Sequence, residues 1–500
     1  MTPYLSLTQR WREITLLSTT SSLLSWDQET NLPPHAAPYR AEQLAHLSGL
    51  IHQLATSDEV RRWLETCENN LPAPGTPEHT NITRLRRRFD RAVKLPQTLV
   101  ESFARASSHA HHAWVQAKQQ SRFDLFAPHL QTLLDLTRQK ADHWGYSDHP
   151  YDALLEGYEP GMTTAAARAL LDNLAPRQAR ILTQAAASFE NLPENLVPGH
   201  YPIPLQQQFN AQVAASFGFD LQAGRIDTAP HPFCTTLGPR DIRLTTRYRE
   251  DDFTYSLYSV LHEVGHGLYE QGLPQEHFGL PAGEATSLGI HESQSRLWEN
   301  KVARTHAFWE HWFPHALRLF PDLASRSPAD LAQHLLRVRP SLIRTEADEV
   351  SYDLHIILRF QIELALLAGD LPIADLPAAW NEKMKQWLGL DVPDDAHGCL
   401  QDIHWSMGGF GYFPTYTFGN LASAQLYHAA VQHHPAIPSD LAAGRYTALL
   451  DWMRRHVHLH GERWTTPELL LQATGQPLSP EPHLHYLQAK YGATPSTTPG

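Results

Sequence analysis

A glutamate between two histidines, near the middle of the 500-residue chain, has the residue types and the spacing of a metal site. His262 and His266 are four positions apart, so on a helix both imidazoles lie on one face and can bind one zinc ion. Glu263 directly follows the first histidine, where its carboxylate can take a proton from a water molecule beside the metal. This pattern is typical of a zinc-dependent peptidase, with Glu263 as the general base.

The helix that must carry these residues is predicted by its ends and by its interior. Asp251 and Asp252 can cap its start, and Gly272 can end it. Gly265 and Gly267 lie inside it, and each costs about 1 kcal/mol relative to alanine at such a position. We therefore expect another element, or the substrate, to approach the helix closely at these glycines. Apolar residues recur at helical spacing between the two ends, namely Phe253, Leu257, Val260, Leu261, Val264 and Leu268.

A catalytic zinc ion needs a third protein ligand and keeps one further position for water. A second predicted helix, at about residues 283–304, carries the candidate carboxylates. Glu292 is our choice, because the interval from His266 leaves room for a turn and a returning helix, and Glu284 is the reserve candidate. The chain has only 3 cysteines, which argues against a closed structural site built from thiolates.

Composition and charge argue against other classes of function. The formal net charge is −13, which disfavours nucleic acid as a partner. No uninterrupted apolar run is long enough to span a membrane, and the first residues lack the apolar core of a signal peptide. We therefore expect a cytoplasmic protein that does not bind a membrane.

Helical spacing of apolar residues recurs over most of the chain. The clearest segments are residues 5–26, 39–54, 163–189 and 351–367. Turns rich in proline and glycine separate such segments, and none of these turns is long enough to mark a domain linker. We expect a mostly α-helical protein with a single domain over residues 1–492 and a flexible tail over residues 493–500.

Residues 242–248 are the exception to the helical pattern, because they alternate between apolar and polar types and are rich in strand formers. The sequence therefore predicts a small β element just before the metal helix. Such a strand can hold an extended peptide through main-chain hydrogen bonds, as the edge strand of a sheet does. A merely structural hairpin is an equal alternative.

These segments together resemble the thermostable carboxypeptidase Taq family of metal-dependent carboxypeptidases. The resemblance rests first on HEVGHGLYEQG at residues 262–272 and GIHESQSR at residues 289–296. Several ordered segments are far more specific than the His-Glu-x-x-His pattern alone. Further segments of the family follow one another over nearly the whole chain: LSWD at 24–27, DIRLT at 241–245, IRTEADE at 343–349, GCLQDIHW at 398–405 and GYFPTY at 411–416.

The resemblance implies a fold, an activity and a set of site residues. The implied fold is mostly α-helical with a deep substrate groove, like the folds of neurolysin and angiotensin-converting enzyme, and the implied assembly is a homodimer. The implied activity is that of a metallocarboxypeptidase of broad specificity, which releases single C-terminal amino acids from peptides. The family's metal ligands fall on His262, His266 and Glu292, and its general base falls on Glu263. The implied metal is zinc, with cobalt or another divalent ion as an alternative.

An enzyme that acts at the C-terminus must also bind a free carboxylate, which a guanidinium does with two parallel hydrogen bonds. Arg344 is the first candidate, because the acidic residues at 346–349 can hold it in place. Arg359 and Arg243 are alternatives, and for each arginine a buried ion pair is an equal interpretation. Tyr412, in a loop with glycines, can donate a hydrogen bond to the developing oxyanion, and plain packing is the alternative interpretation.

The residues that hold the ligand histidines in place are less defined by the sequence. Ligating imidazoles usually donate their second N–H to a carboxylate or a carbonyl. Asp402 and His404 can belong to such an outer layer, and so can Glu346, Asp348 or Glu349. The choice among these residues stays open.

Two other functions also stay open. A zinc oligopeptidase or dipeptidyl carboxypeptidase has the same kind of metal helix but places the scissile bond differently. A non-catalytic peptide-binding protein, with a metal kept for stability, belongs to a different class. The presence of Glu263 argues against it, because metal binding alone needs no base beside the ligands.

Overall fold

The computed structural model of this chain describes residues 2–187, 189 and 197–492. The chain folds into two compact units, each built from three segments. Unit 1 comprises Met1–Val93, Asn195–Leu335 and Leu426–Gly475, and unit 2 comprises Lys94–Glu194, Leu336–Gln425 and Gln476–Gly500. The single domain expected over residues 1–492 stays a prediction, and the tail expected over residues 493–500 lies outside the described residues.

Helices make up most of the described chain, as the spacing of apolar residues predicts. No helix among the described residues is long and apolar enough to cross a membrane. The α-helices are α1 (Pro3–Thr30), α2 (Ala37–Ala55), α3 (Asp58–Glu68), α4 (Pro77–Val93), α5 (Gln97–Gln120), α6 (Ala127–Trp144), α7 (Pro150–Leu155), α8 (Thr164–Ala187), α9 (Ile203–Phe217), α10 (Phe253–Gly272), α11 (Leu288–Arg296), α12 (His306–Leu319), α13 (Pro328–Leu335), α14 (Tyr352–Ala368), α15 (Leu376–Leu388), α16 (Pro414–His433), α17 (Ile437–Ala442), α18 (Thr447–His456), α19 (Thr466–Thr474) and α20 (Glu481–Tyr491). The four segments named from the sequence are confirmed as α1, α2, α8 and α14.

A small sheet lies in unit 1 beside α10. Its strands are β1 (Gly224–Thr228), β2 (Cys234–Gly238) and β3 (Asp241–Thr246), in the spatial order β1-β3-β2. The predicted strand is therefore confirmed as β3. Of the two alternatives for this strand, the edge strand is wrong, because β3 pairs in parallel with β1 on one side and antiparallel with β2 on the other. The antiparallel pair of β2 and β3 agrees with the hairpin alternative. The main-chain groups of β3 are used within the sheet, and β2 is an edge.

The core of unit 1 surrounds the start of α10. Phe253, the first residue of this helix, is 1% exposed and contacts four aromatic rings at centroid distances of 4.8 to 6.1 Å. Such contacts add about 1 kcal/mol each to the free energy of burying the rings. They fix the start of the helix that carries the two histidines. The four partners are Tyr201, Phe209, Trp309 and Phe320.

Unit 2 is organised around α14, whose residues 352–360 are all buried. A helix that is buried on every side forms the centre of its unit. Three charged residues, Asp353, Arg359 and Glu363, are nevertheless fully buried within this helix. Since a buried charge is costly unless it is hydrogen-bonded, each of them must have polar partners. Asp353, for example, accepts hydrogen bonds from Thr417 and Asn420, each at 2.8 Å.

Candidate metal centre

The ends of α10 are those that the sequence predicts. Asp252 caps the helix, because its Oδ1 accepts the backbone N–H of Thr254 at 2.9 Å and that of Tyr255 at 3.3 Å. The helix ends at Gly272. His262 and His266 therefore lie in its middle, where the backbone is most regular and where residues four apart share one face.

Two glycines of α10 allow other elements to approach its backbone. A Cβ atom on Gly265 would lie 2.5 Å from the carbonyl oxygen of Gln294 and from the Cα of Ser295, both in α11. A Cβ atom on Gly267 would lie 2.6 Å from the ring of Phe219. The predicted close approach at these glycines is confirmed. Because α11 can lie directly against α10 at Gly265, its side chains reach the two histidines.

Three potential ligand atoms converge at this contact between α10 and α11. Glu292 Oε2 lies 3.6 Å from His262 Nε2 and 3.5 Å from His266 Nε2. All three ligand atoms lie within 4.8 Å of one another. Tetrahedral coordination with bonds of about 2.1 Å requires ligand atoms about 3.4 Å apart. The geometry and the nitrogen and oxygen donors therefore fit a zinc ion or a similar divalent metal.

The reserve candidate for the third ligand has a different partner. Glu284 Oε2 accepts a hydrogen bond from Arg88 Nη2 at 2.6 Å. Arg88 also contacts Glu462, so one guanidinium neutralises two carboxylates. Glu284 is thereby engaged in an ion pair of unit 1, whereas Glu292 is the carboxylate that meets the histidines.

The ring nitrogen of His262 that does not face Glu292 contacts a second carboxylate. Its Nδ1 lies 2.9 Å from Oε2 of Glu299, which leaves Nε2 directed at Glu292. Glu299 in turn accepts hydrogen bonds from Arg304 Nε at 3.2 Å and Nη2 at 3.1 Å. Glu299 was not predicted as a partner of His262, although it follows Glu292 by two helical turns and so projects from a similar side.

His266 is held differently, through another histidine. Its Nδ1 lies 2.5 Å from Nδ1 of His291, whose Nε2 lies 2.8 Å from Oε1 of Glu270. The outer partners expected for the ligand histidines were therefore wrong, because the pairs are formed by Glu299 and His291. Asp402 instead forms ion pairs with Arg344 and Arg359 in unit 2.

Glu263 and Glu292 differ in their affinity for a proton. Burial raises the pKa of Glu263 to about 7, and the negative charge of Glu292 contributes, while His262 opposes the shift. Glu292 is also buried, but Arg296 and the two histidines keep its pKa well below the usual value. Arg296 Nε donates to Glu292 Oε1 at 2.6 Å. Glu292 is therefore ionised, as a ligand must be, whereas Glu263 can gain and lose a proton near neutral pH.

The two histidines respond in opposite ways to this environment. Burial alone would lower the pKa of His262, but the charges of Glu292 and Glu299 raise it to about 9. Burial lowers the pKa of His266 to about 4, and the neighbouring His291 adds to this effect. A metal ion that binds His262 at neutral pH must therefore displace a proton from it.

Two of the three candidate arginines share one carboxylate in unit 2. Arg344 donates from Nε and Nη2 to Asp402 Oδ1 at 2.9 and 2.8 Å, and from Nη1 to Tyr352 at 2.9 Å. Arg359 donates from Nε to Asp402 Oδ2 at 2.7 Å and from Nη2 to Gln401 at 2.7 Å. The prediction that residues 346–349 hold Arg344 is wrong, because Asp402 supplies the carboxylate. Although Asp402 is buried, the two arginines hold its pKa well below the usual range.

The third candidate arginine lies on β3 in unit 1. Arg243 donates from Nε and Nη2 to the two carboxylate oxygens of Asp241 at 2.8 and 2.9 Å. Its guanidinium carbon lies 4.3 Å from the centre of the Trp26 ring. Both contacts are of the kind that stabilise an arginine on a protein surface.

Tyr412 lies in unit 2 directly after Gly411, whose backbone is in the left-handed region with φ of 86°. A side chain is strained in that conformation, which explains the glycine. The Tyr412 ring is half-buried and contacts the rings of Tyr158 and His404, each at 5.2 Å, and that of Tyr416 at 5.4 Å. Tyr412 is thus one member of an aromatic cluster.

Comparison with known proteins covers nearly the whole chain. The model of the carboxypeptidase Taq (M32) metallopeptidase family matches residues 6–491. Thermostable carboxypeptidase 1 of Thermus thermophilus is 40% identical over 507 residues, which cover 99% of each chain. Among solved structures, the M32 carboxypeptidase from Deinococcus radiodurans R1 is 37% identical with a TM-score of 0.95, over 98% of this chain and 99% of that one. Metallocarboxypeptidase 1 of Trypanosoma cruzi is 33% identical with a TM-score of 0.95, over the same shares.

The resemblance inferred from the sequence segments is thereby confirmed. The relatives are carboxypeptidases, so an oligopeptidase or a non-catalytic binding protein is not favoured. The chain has the cluster of two histidines and a glutamate that can hold a metal ion. It therefore belongs to the carboxypeptidase Taq (M32) family of metallopeptidases, and its activity is that of a metallocarboxypeptidase.

Proposed function

We propose that this protein releases C-terminal amino acids from peptides one at a time, with a zinc ion held by His262, His266 and Glu292. The observation that carries the proposal is the convergence of the three ligand atoms, within 4.8 Å of one another, beside a carboxyl group with a pKa of about 7. Cobalt or another divalent ion can take the place of zinc, because the donor set is a mixture of imidazole nitrogen and carboxylate oxygen.

The chemistry divides between the metal and Glu263. A bound zinc ion lowers the pKa of a water molecule and polarises the carbonyl group of the scissile peptide bond. Glu263 accepts the proton that the water loses as its oxygen attacks the carbonyl carbon. Glu263 then donates that proton to the nitrogen of the departing amino acid. Burial, which raises the pKa of Glu263, makes its carboxylate a better proton acceptor for the first of these steps.

The substrate's free carboxylate needs a cationic anchor, and we propose Arg344 for this role. Arg344 keeps 7% of its side chain exposed, whereas the side chain of Arg359 has no exposed surface. This difference favours Arg344 over Arg359, which instead holds Asp402 in place. Arg243 is the remaining alternative, because 17% of its side chain is exposed. Tyr412 is proposed as the donor to the developing oxyanion, and its half-buried position is compatible with this role.

The remaining expectations from the resemblance are also proposals. They are a single catalytic domain over residues 1–492, a deep substrate groove like those of neurolysin and angiotensin-converting enzyme, and a cytoplasmic homodimer. We also propose broad specificity for the C-terminal side chain. None of these properties depends on the geometry of the metal cluster, so each can be tested separately.

Mass spectrometry of the products tests the proposed mode of cleavage. A peptide with a blocked N-terminus is incubated with the zinc-loaded protein, in parallel with a copy that is amidated at its C-terminus. We expect successive losses of single residues from the free acid and no cleavage of the amide. Release of dipeptides, or of internal fragments from both peptides, would contradict the proposal and support a dipeptidyl carboxypeptidase or an oligopeptidase. An Arg344→Leu variant should raise KM for the free acid if Arg344 is the anchor.

A further inference from the structure

Three side chains, those of His291, Glu270 and Thr236, form a line of contacts that starts at Nδ1 of His266. This is the ring nitrogen that does not face Glu292. His291 on α11 lies 2.5 Å from His266, measured between their Nδ1 atoms. Its other ring nitrogen lies 2.8 Å from Oε1 of Glu270, and the Thr236 hydroxyl donates to Oε2 of Glu270 at 2.8 Å. The line therefore runs from α10 through α11, back to α10, and ends on β2.

The hydrogen-bonding capacity of each group fixes where its hydrogens lie. If His266 binds a metal through Nε2, its one ring hydrogen is on Nδ1 and is donated to His291. His291 must then accept at Nδ1 and carry its own hydrogen on Nε2, which donates to Glu270. Glu270 and Thr236 complete the line as acceptor and donor. Each donor in the line therefore faces an acceptor, and each acceptor faces a donor.

This arrangement also excludes His291 as a further metal ligand. Both of its ring nitrogens are engaged, one with His266 and the other with Glu270. Its Nδ1 faces the Nδ1 of His266, whereas the ligand atom of His266 is Nε2, 3.5 Å from Glu292. His291 therefore acts on the metal site through His266 and not by direct contact.

The two ligand histidines thus have different hydrogen-bond partners. His262 pairs directly with a carboxylate, Glu299, at 2.9 Å. Glu270 lies one helical turn after His266 on α10, and His291 from the neighbouring helix is placed between the two. The close contact at Gly265, which leaves no space for a Cβ, brings α11, the helix that carries His291, directly against α10.

We propose that His291 is a positioning residue, which holds the His266 ring in the orientation and the tautomer that bind the metal. Glu270 and Thr236 hold His291 in place in turn. The inference rests on the proposed metal site. Partners of this kind typically change metal affinity by about 10- to 100-fold when they are removed. Loss of His291 should therefore weaken metal binding although all three ligand atoms remain.

The test measures the dissociation constant for zinc by competition with a chromogenic chelator, in the full-length protein. We expect His291→Leu to raise this constant by about 10- to 100-fold. His291→Asn should have a smaller effect, because its amide oxygen can still accept the His266 hydrogen. His306→Leu is a matched control, since His306 is exposed at the start of α12, and it should bind zinc like the wild-type protein.

A second readout separates positioning of the ligand from general destabilisation. The visible absorption spectrum of the cobalt-loaded protein reports the orientation of the ligands, and it should shift in His291→Leu but not in the His306→Leu control. Should His291→Leu fail to fold, Glu270→Leu provides the second test, because it removes the acceptor of the His291 Nε2 hydrogen. Unchanged zinc affinity and an unchanged cobalt spectrum in the folded variant would overturn the inference.

The outcomes distinguish this inference from the proposed function. A wild-type protein that binds no zinc or cobalt would overturn both. Tight binding by the wild-type protein and equally tight binding by the His291 and Glu270 variants would overturn only the inference. Weaker binding and a shifted spectrum in those variants, with a normal His306 control, would support it.

Discussion

Glu263 in unit 1 and Glu363 in unit 2 are both buried carboxyl groups whose pKa is raised to about 7, chiefly by burial. Their hydrogen bonding is different. Glu363 accepts from the Tyr151 hydroxyl at 2.7 Å, the Trp405 Nε1 at 2.8 Å and the Gly411 N–H at 3.2 Å. Among the described residues, none donates a hydrogen bond to the carboxylate of Glu263.

The comparison shows that a raised pKa does not by itself mark a catalytic base. The three donors around Glu363 fix its carboxylate in one place and use its lone pairs. Glu263 has its lone pairs available and is 5% exposed, next to the atoms that can bind a metal, whereas Glu363 has no exposed surface. The two groups therefore differ in whether a reacting molecule can reach the carboxylate.

The largest expected effect is that of Glu263→Gln on hydrolysis. Glutamine keeps the size of the side chain but cannot accept the proton from water, so kcat/KM should fall by about 10²- to 10⁴-fold. Zinc content should stay the same, because the three ligands are intact. Hydrolysis of a blocked peptide and metal analysis of the same samples check both statements. Near-normal hydrolysis in a metal-loaded Glu263→Gln protein would remove Glu263 from the role of base.

Replacement by leucine should destabilise the protein at Glu363 but not at Glu263. Glu363→Leu leaves the donors of Tyr151, Trp405 and Gly411 without their acceptor, which should lower the free energy of unfolding by at least about 3 kcal/mol. Glu263→Leu removes a buried carboxylate that is near Glu292 and Glu299, so the metal-free protein should be equally or more stable. Urea unfolding of both variants compares them. Equal destabilisation of the two would contradict the proposed difference in hydrogen bonding.

A smaller effect concerns the pH dependence of stability. The folded-state pKa of Glu363, about 7, is above the ordinary value of 4.5, so the folded protein binds more protons between these values. Its contribution is fully present below pH 4.5 and is lost as the pH rises through 7, a change of about 3 kcal/mol. Glu363→Gln stays neutral and should lack this part of the slope. The unfolding midpoints of the wild-type protein and of Glu363→Gln are measured from pH 4.5 to 7. Equal slopes of the midpoint against pH would refute the raised pKa of Glu363.

The local features of the metal helix could be predicted from the sequence. The cap at Asp252, the end at Gly272 and the close approach at Gly265 follow from helix chemistry that acts within a few residues. The choice of Glu292 over Glu284 also agrees with the geometry, since Glu292 meets the histidines and Glu284 binds Arg88. The short distance along the chain between His266 and these two glutamates leaves few possible arrangements of the helices that carry them.

The features that were missed depend on how separate elements pack. His291 and Glu299 become partners of the histidines because α11 and the residues after it pack against α10 with one particular rotation about their own helix axis. The spacing of apolar residues does not determine that rotation. In the same way, β3 becomes a central strand because β1, from an earlier part of the chain, pairs with it. Arg344 pairs with Asp402 and not with its acidic neighbours in sequence, for the same reason.

A zinc titration tests the central claim most directly. The protein is freed of metal with a chelator, zinc is added stepwise, and hydrolysis of a blocked peptide with a free C-terminus is measured at each step. We expect no hydrolysis without metal and a linear increase that ends at one zinc ion per chain, and we expect Glu292→Ala to lose this end point because its affinity is too low. Hydrolysis by the metal-free protein, or an unchanged titration of Glu292→Ala, would contradict the account.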